Sequence, residues 1–498
     1  MAPIAADFAS LSARTTPARA LRPARLLQST ALVLVLAASP ALAQTWSGGA
    51  GGGNATRWDH DPNWSGNAEP TVAGNVTIGG SANDPEVRAG DNDAVAGSVT
   101  LATGGNLTVN GTLTVGASGV TLANNGGAAP GSTLTVGDNG TLVSGAVSVS
   151  EFSTLSNDGS VESNISNSGS VTNTDEIVGT VTNNIGGTLN STGRIEGDVS
   201  NSGTATITGS LTGELTTLGG STTVIDGDLG TALDGVAGVS NAGGLTLGNG
   251  ATLVLDAGEA LHTAATGDTT IRGTVDGDVT DAVGAQTTLA GGDVTGDVTV
   301  AGSLTSTGTS TIGDDLTIER NGADAGSVTV ASGTLTVSGN GPGPEVNVDG
   351  ALTVNTGATL VGDVDLTANG SGTIDGTVTG AVSNAGTVEV DGTVTGALST
   401  GATGETTIRG TVDGDVTDAV GAQTTLAGGD VTGDVTVAGS LTSTGTSTIG
   451  DDLTIERNGA DVGSVTVASG TLTVSGNGPG PEVNVDGALT VNSGARLV

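Results

Sequence analysis

The chain of 498 residues has no Cys, no Tyr and no Lys, and aromatic residues make up 1% of it. Each absence removes a class of protein. Without Cys there is no disulfide framework, thiolate metal site or thiol nucleophile. Without Lys there is no P-loop and no Schiff-base chemistry. Trp46, Trp58 and Trp64 all lie near the N-terminus, and the chain carries no aromatic ring after Phe152. A compact globule of this length would fill its core with Phe, Tyr and Trp. The interior here must instead be narrow enough for Val, Leu, Ile, Ala and Thr. Sugar-cleaving sites, which use aromatic platforms, are disfavoured by the same absence. His is confined to His60 and His262, far apart in sequence, and no Gly-x-Ser-x-Gly elbow accompanies either. The chain is therefore expected not to be an enzyme, and no catalytic, cofactor-binding or metal-binding residue is assigned. Cations are scarce too. Twelve Arg face 51 acids for a formal net charge of -39. Such a chain repels nucleic acid and anionic lipid, so no nucleic-acid partner is expected.

What is present is repetitive. Residues 265–361 reappear at 402–498, shifted by 137 positions, with four substitutions: Asp268 to Glu405, Ala325 to Val462, Thr356 to Ser493 and Thr359 to Arg496. A single packed core does not accept a duplicated block, whereas a stacked array does, because each layer touches only its neighbours. Short apolar-Thr-apolar segments recur, as in Leu107-Thr108-Val109, Leu113-Thr114-Val115, Val328-Thr329-Val330 and Leu352-Thr353-Val354. Their period of two puts the apolar pair on one face, and β-branched residues suit strands. Asn-Gly, Asp-Gly and Ser-Gly dipeptides, drawn from 88 Gly, supply the turns between them. The spacing predicts an all-β, elongated parallel β-helix (β-solenoid) of short rungs. At roughly 20 residues per rung the repeated block is about seven rungs, and the rod is on the order of 100 Å long. Residues i and i+137 then share a face, so Ile271 and Ile408 should both point inward.

A second motif, Leu155-Ser-Asn-Asp-Gly-Ser-Val161, is echoed by Ile165-Ser-Asn-Ser-Gly-Ser-Val171, Val199-Ser-Asn-Ser-Gly-Thr-Ala205 and Val382-Ser-Asn-Ala-Gly-Thr-Val388. Asn at equivalent turns predicts side-chain amide ladders along the axis.

Residues 1–25 hold four Arg and one acid, Asp7, followed by a mostly apolar run from Leu26 to Leu36 and by Ala41-Leu42-Ala43. This order predicts a secretory signal peptide over 1–43, with cleavage before Gln44. The expected organisation continues with a Trp-containing cap segment over 44–90, an irregular solenoid over 91–264, repeat block 1 over 265–401 and an incomplete repeat block 2 over 402–498.

Gln44-Thr45-Trp46, the stretch from Arg57 through Trp58-Asp59-His60-Asp61-Pro62-Asn63-Trp64 to Gly66, then Pro70 and Val76-Thr77-Ile78, resembles the start of bacterial autotransporter passenger domains and related β-solenoid surface adhesins. The Gly-Thr-Leu-Thr-Val rungs resemble passenger repeats. The resemblance implies secretion machinery and an outer-membrane β-barrel translocator as partners, the barrel not being present in this chain. It also implies display at the cell surface, on the outer membrane or outside the cell, or in the periplasm if the protein lacks a barrel, with a host or neighbouring cell as the surface met.

The acidic pairs Asp314-Asp315 and Asp451-Asp452, and Asp91-Asn92-Asp93, are candidate Ca2+ ligands. The plainer expectation is acidic turns with no cofactor, because no series of Gly-Gly-x-Gly-x-Asp nonapeptides accompanies them. His60, between Asp59 and Asp61, is likewise read as a turn residue. The expected function is that of an exported, surface-displayed passenger, adhesive or structural through a repetitive rod. The alternatives are a self-associating matrix or surface-layer protein and a largely disordered acidic polymer.

Overall fold

A computed structural model describes residues 43–49, 51–80, 83–91, 94–124, 129–230, 235–339, 341, 343–476 and 482–498. The signal-peptide segment up to residue 42 lies outside the described residues, as do Asn92 and Asp93 of the candidate Ca2+ tripeptide. The described residues form one unit by their contacts.

Each apolar-Thr-apolar segment is a strand of two to five residues with alternating burial, as in Asn106–Val109 and Ser327–Val330. Such strands are too short to be stable as hairpins. They stack instead, each pairing in parallel with a strand about one turn on in sequence. Three sheets result. The first holds 22 strands, from Gln44–Thr45 to Val483–Val485. The second holds 21, from Glu86–Val87 to Ala488–Val491, and its pairings run in one line without joining the two ends. The third has a run of 6 from Ala94–Ala96 to Arg194–Glu196 and a run of 13 from Thr252–Val254 to Arg496–Leu497. Between those runs it is reduced to single bridges, Ile195 to Leu211 and Leu229 to Leu253. The chain visits the sheets in order, and nineteen turns carry all three strands. The disordered-polymer alternative does not describe these residues.

The apolar residues of all three sheets form one continuous core with no aromatic ring beyond Trp64. Burying each Val, Leu or Ile is worth roughly 1.5–3 kcal/mol. The duplication is in phase with the coil. Register leads from Ile271 through Leu289, Ser306, Val330, Val354, Ile374 and Val390 to Ile408, which is seven turns. Ile271 and Ile408 are both 0% exposed. A whole number of turns returns every side chain to its own face.

Insertions leave the coil at corners. A two-stranded antiparallel hairpin, Arg320–Asn321 with Asp324–Ala325, separates the first and second sheets in one turn, and its copy pairs Arg457–Asn458 with Asp461–Val462. Arg320 ties the hairpin down by donating to the carbonyls of Asp349 at 3.1 Å and Asn369 at 3.0 Å. Where turns stack most tightly, Gly is required. Gly333 has φ +73°, and a Cβ there would run into the carbonyl of Gly308 one turn below.

Candidate interaction surface

With no enzyme-like cluster expected from the sequence, the candidate site is a surface. It follows from the strand pattern. In an apolar-Thr-apolar strand the middle residue faces out, and in-register stacking aligns it with the same position in the next turn. On the second sheet this file starts at Glu86 and runs Thr108, Thr135, Ser156, Thr172, Asn190, Thr206, Val224. It continues as seven consecutive threonines: Thr246, Thr270, Thr288, Thr305, Thr329, Thr353 and Thr373. Glu389 interrupts it, and Thr407, Thr425, Thr442, Thr466 and Thr490 resume it. The seven consecutive threonines are half-buried, packed between their neighbours above and below. The first sheet carries a parallel file of mostly Ser and Thr, including Thr280, Thr299 and Thr317. Apart from Glu86 and Glu389 on the second sheet and Asp365 on the first, these files carry no acid on a very acidic molecule.

The acids sit at corners, and for a reason. The Asp297 carboxylate accepts the backbone N–H of Asp315, one turn ahead, at 3.0 Å. Asp278 does the same for Asp297 at 2.9 Å, and Asp363 for Ala381 at 2.7 Å. The second copy repeats this at Asp415 and Asp434. Each carboxylate satisfies a donor that the bend between the third and first sheets leaves without a strand partner. Burial, then the nearby Asp297, Asp314 and Glu345, raise the Asp315 carboxyl above its ordinary value.

The candidate Ca2+ ligands lie on this acidic edge. Asp434, Asp451 and Asp452 bring carboxylate oxygens within 4.8 Å of one another. Asp452 is itself bonded to Asp434 through its backbone N–H at 3.0 Å. Asp91 is elsewhere, bonded to the backbone N–H of Arg88 at 2.8 Å. His60 and His262 are not brought together. His262 faces outward on the first sheet with Nδ1 3.0 Å from the Thr280 hydroxyl. His60 precedes the short 3-10 turn Asp61–Asn63, and its neighbour Asp59 pairs with Arg57, which holds the Asp59 carboxyl below its ordinary value.

The Trp-rich segment folds over the first turn. Gln44–Thr45 pairs with Val76 and Thr77. Trp46, Trp58 and Trp64 are buried, with Trp64 edge-on to Trp46 at 4.9 Å and to Trp58 at 4.8 Å. The Trp64 indole donates to the Trp58 carbonyl at 2.8 Å. The first sheet already begins inside the segment read as a cap.

Inside the rod, the amide ladders form. Asn167 donates to Asn183 at 2.7 Å, Asn183 to Asn201 at 2.7 Å, and Asn201 to the Thr223 hydroxyl at 2.9 Å. All three Asn are 0% exposed, at strand ends rather than in exposed turns. Asn157 belongs to a different column. It lies on the second sheet and donates to Asn173 at 2.7 Å, so the 155–161 motif occupies another corner than 165–171. Motif similarity alone makes the two look equivalent. Their offset in sequence, about half a turn, is the signal that separates them.

No family model matches the sequence, and no curated protein matches it. Among solved structures, the chain is similar to the crystal structure of a TibC-catalysed hyper-glycosylated fragment of TibA, at 18% identity, covering 85% of this chain and 97% of that one, with a TM-score of 0.12. At that score the two backbones do not superpose as wholes, and the β-solenoid assignment rests on the strand pairings described above.

Proposed function

We propose that the chain is an exported, surface-displayed passenger-like rod that makes adhesive or structural contacts through its outer sheet faces. The observation that carries this reading is an uncharged run within the outward file of the second sheet, seven consecutive in-register threonines from Thr246 to Thr373. A carboxylate-studded edge keeps like-charged surfaces apart, whereas a neutral hydroxyl face meets a polar surface without a desolvated charge. Each hydroxyl contact is weak, and repetition at about 4.8 Å makes many of them simultaneous. The segment over 1–43 supplies the export signal in this reading, and an outer-membrane barrel and secretion machinery supply translocation. The buried Trp trio covers the end where a bare rung edge would template strand pairing.

The test is adherence of beads coated with the protein to whole cells, compared with a triple variant Thr305→Glu, Thr329→Glu, Thr353→Glu. Adherence should fall at least tenfold for the variant and hold for a matched triple Glu variant on the third sheet, at Thr334, Thr359 and Thr377. Equal adherence of both variants and the parent would sink the reading.

A further inference from the structure

Along the inner column of the first sheet a polar stretch ends twice in a buried carboxylate. Register runs Asn241, Thr263, Asp281, Val300 in one place and Asn384, Thr400, Asp418, Val437 in the other. Asp281 is 3% exposed and Asp418 1%. In each, one carboxylate oxygen accepts from a Thr hydroxyl, Thr287 at 2.7 Å or Thr424 at 2.6 Å. The other oxygen, Oδ2, is buried with no hydrogen-bond partner. The Thr is the end of a relay. Asn241 donates to Thr269 at 2.9 Å, Thr269 and Thr263 are 2.9 Å apart, and Thr263 and Thr287 are 3.3 Å apart. The second copy has the same relay through Asn384, Thr406, Thr400 and Thr424. A hydroxyl has one proton to give, so Thr287, once it donates to Asp281, must accept from Thr263. The whole relay thus delivers a single hydrogen bond through Thr287 to a carboxylate that, when ionised, calls for several.

We propose that Asp281 and Asp418 are proton-controlled hinges of the rod, closed when the carboxyl is neutral and prone to local opening when it is ionised. Ionisation leaves a buried charge with one dry oxygen, and opening the turn lets water reach it. The groups that face Asp281 from the strands packed on it are Thr263, Thr287 and Val300. The titratable residues beside it, His262, Asp268 and Asp278, stand on the outer side or at the corner, so no opposite charge compensates. Burial, offset in part by the Thr287 hydrogen bond and the nearby Thr263 hydroxyl, pushes the Asp281 carboxyl up to about 6. Asp418 is pushed up to about 6 in the same way, by burial against Thr424 and Thr400. The two hinges stand seven turns apart in a core whose other buried side chains are apolar, amide or hydroxyl.

The experiment is amide hydrogen exchange on the full chain at about pH 5 and about pH 8, corrected for the intrinsic pH dependence of exchange. Peptides covering 278–290 and 415–427 should open about tenfold more readily at the higher pH, the ratio expected when a carboxyl near 6 in the closed turn returns to an ordinary value in the open one. Peptides across Asn183 and Asn201 should show no such change. D281N should abolish the tenfold ratio at 278–290 and leave it at 415–427, and D418N should do the reverse, so each variant carries its own control in the other copy. Equal protection at both pH values in the parent, or a tenfold ratio that survives D281N at 278–290, overturns the proposal.

Discussion

Deleting residues 265–401 should leave a shorter rod that folds as well as the parent. The deletion joins Ala264 to Ala402. The excised length is seven turns by register, so everything after the seam keeps its sheet and its face. The seam repeats a native interface. Through the first turns beyond it the one change is Asp268 to Glu405, at an exposed position stacked on Gly244. A surface change of that kind costs less than about 0.5 kcal/mol. Seven turns at about 4.8 Å shorten the rod by about 34 Å, from about 100 Å to about 66 Å. Small-angle scattering reads the maximum dimension, and far-ultraviolet circular dichroism reads the melt. A second deletion, 274–401, joins Gly273, past its second-sheet strand, to Ala402, before another. That seam is half a turn out of phase, and its melting midpoint should drop well below that of the in-phase deletion. An in-phase deletion that unfolds while the parent folds, or one that is no more stable than the out-of-phase deletion, refutes the stacked-turn account.

Leu335→Ala and Leu472→Ala empty equivalent core positions, each 0% exposed, and should each cost about 2–5 kcal/mol in denaturant unfolding of that part of the rod. Asn183→Ala breaks the ladder on both sides, leaving the Asn167 amide without its acceptor and Asn201 without its donor, and should cost about 1–3 kcal/mol in the same assay. A carboxyl raised to about 6 at Asp281 and Asp418 binds its proton more tightly in the folded chain than in the unfolded one. Its stabilising contribution is present at low pH and is lost as pH rises through about 6. From about pH 5 to about pH 8 that loss is about 1.4 kcal/mol per site, and the double variant D281N/D418N should remove it from the pH dependence of the melt.

Much of the fold is legible in single strands. Leu107-Thr108-Val109 announces inward Leu and Val and outward Thr, and the sheet pairs it that way. The duplication is legible because a coil tolerates whole turns and nothing else. The hydroxyl file follows from the same alternation, yet its continuity does not, since lining up Thr305 with Thr329 requires the hairpin Arg320–Asn321/Asp324–Ala325 to be looped out of the turn. Asp281 reads in sequence as another polar turn residue. It lies two positions after the inward Val279, in phase with the core, and that phase is what buries it. The corner acids read in sequence as scattered surface charge, because the partner of Asp297 is a backbone N–H 18 positions ahead, a spacing that individual turns blur from 16 to 30. The two Ser-Asn-x-Gly columns merge in sequence because similarity carries no label for which corner a motif occupies.

The central claim is that the described residues between 43 and 498 form one extended coil of parallel turns, and the radius of gyration of that segment in solution tests it most directly. A rod about 100 Å long has a radius of gyration of about 30 Å. A compact globule of the same chain length would give about 23 Å, and an unfolded chain about 80 Å. The account predicts the rod value, with a rod-like scattering profile at intermediate angles. A radius of gyration matching either the globule or the unfolded chain would contradict it.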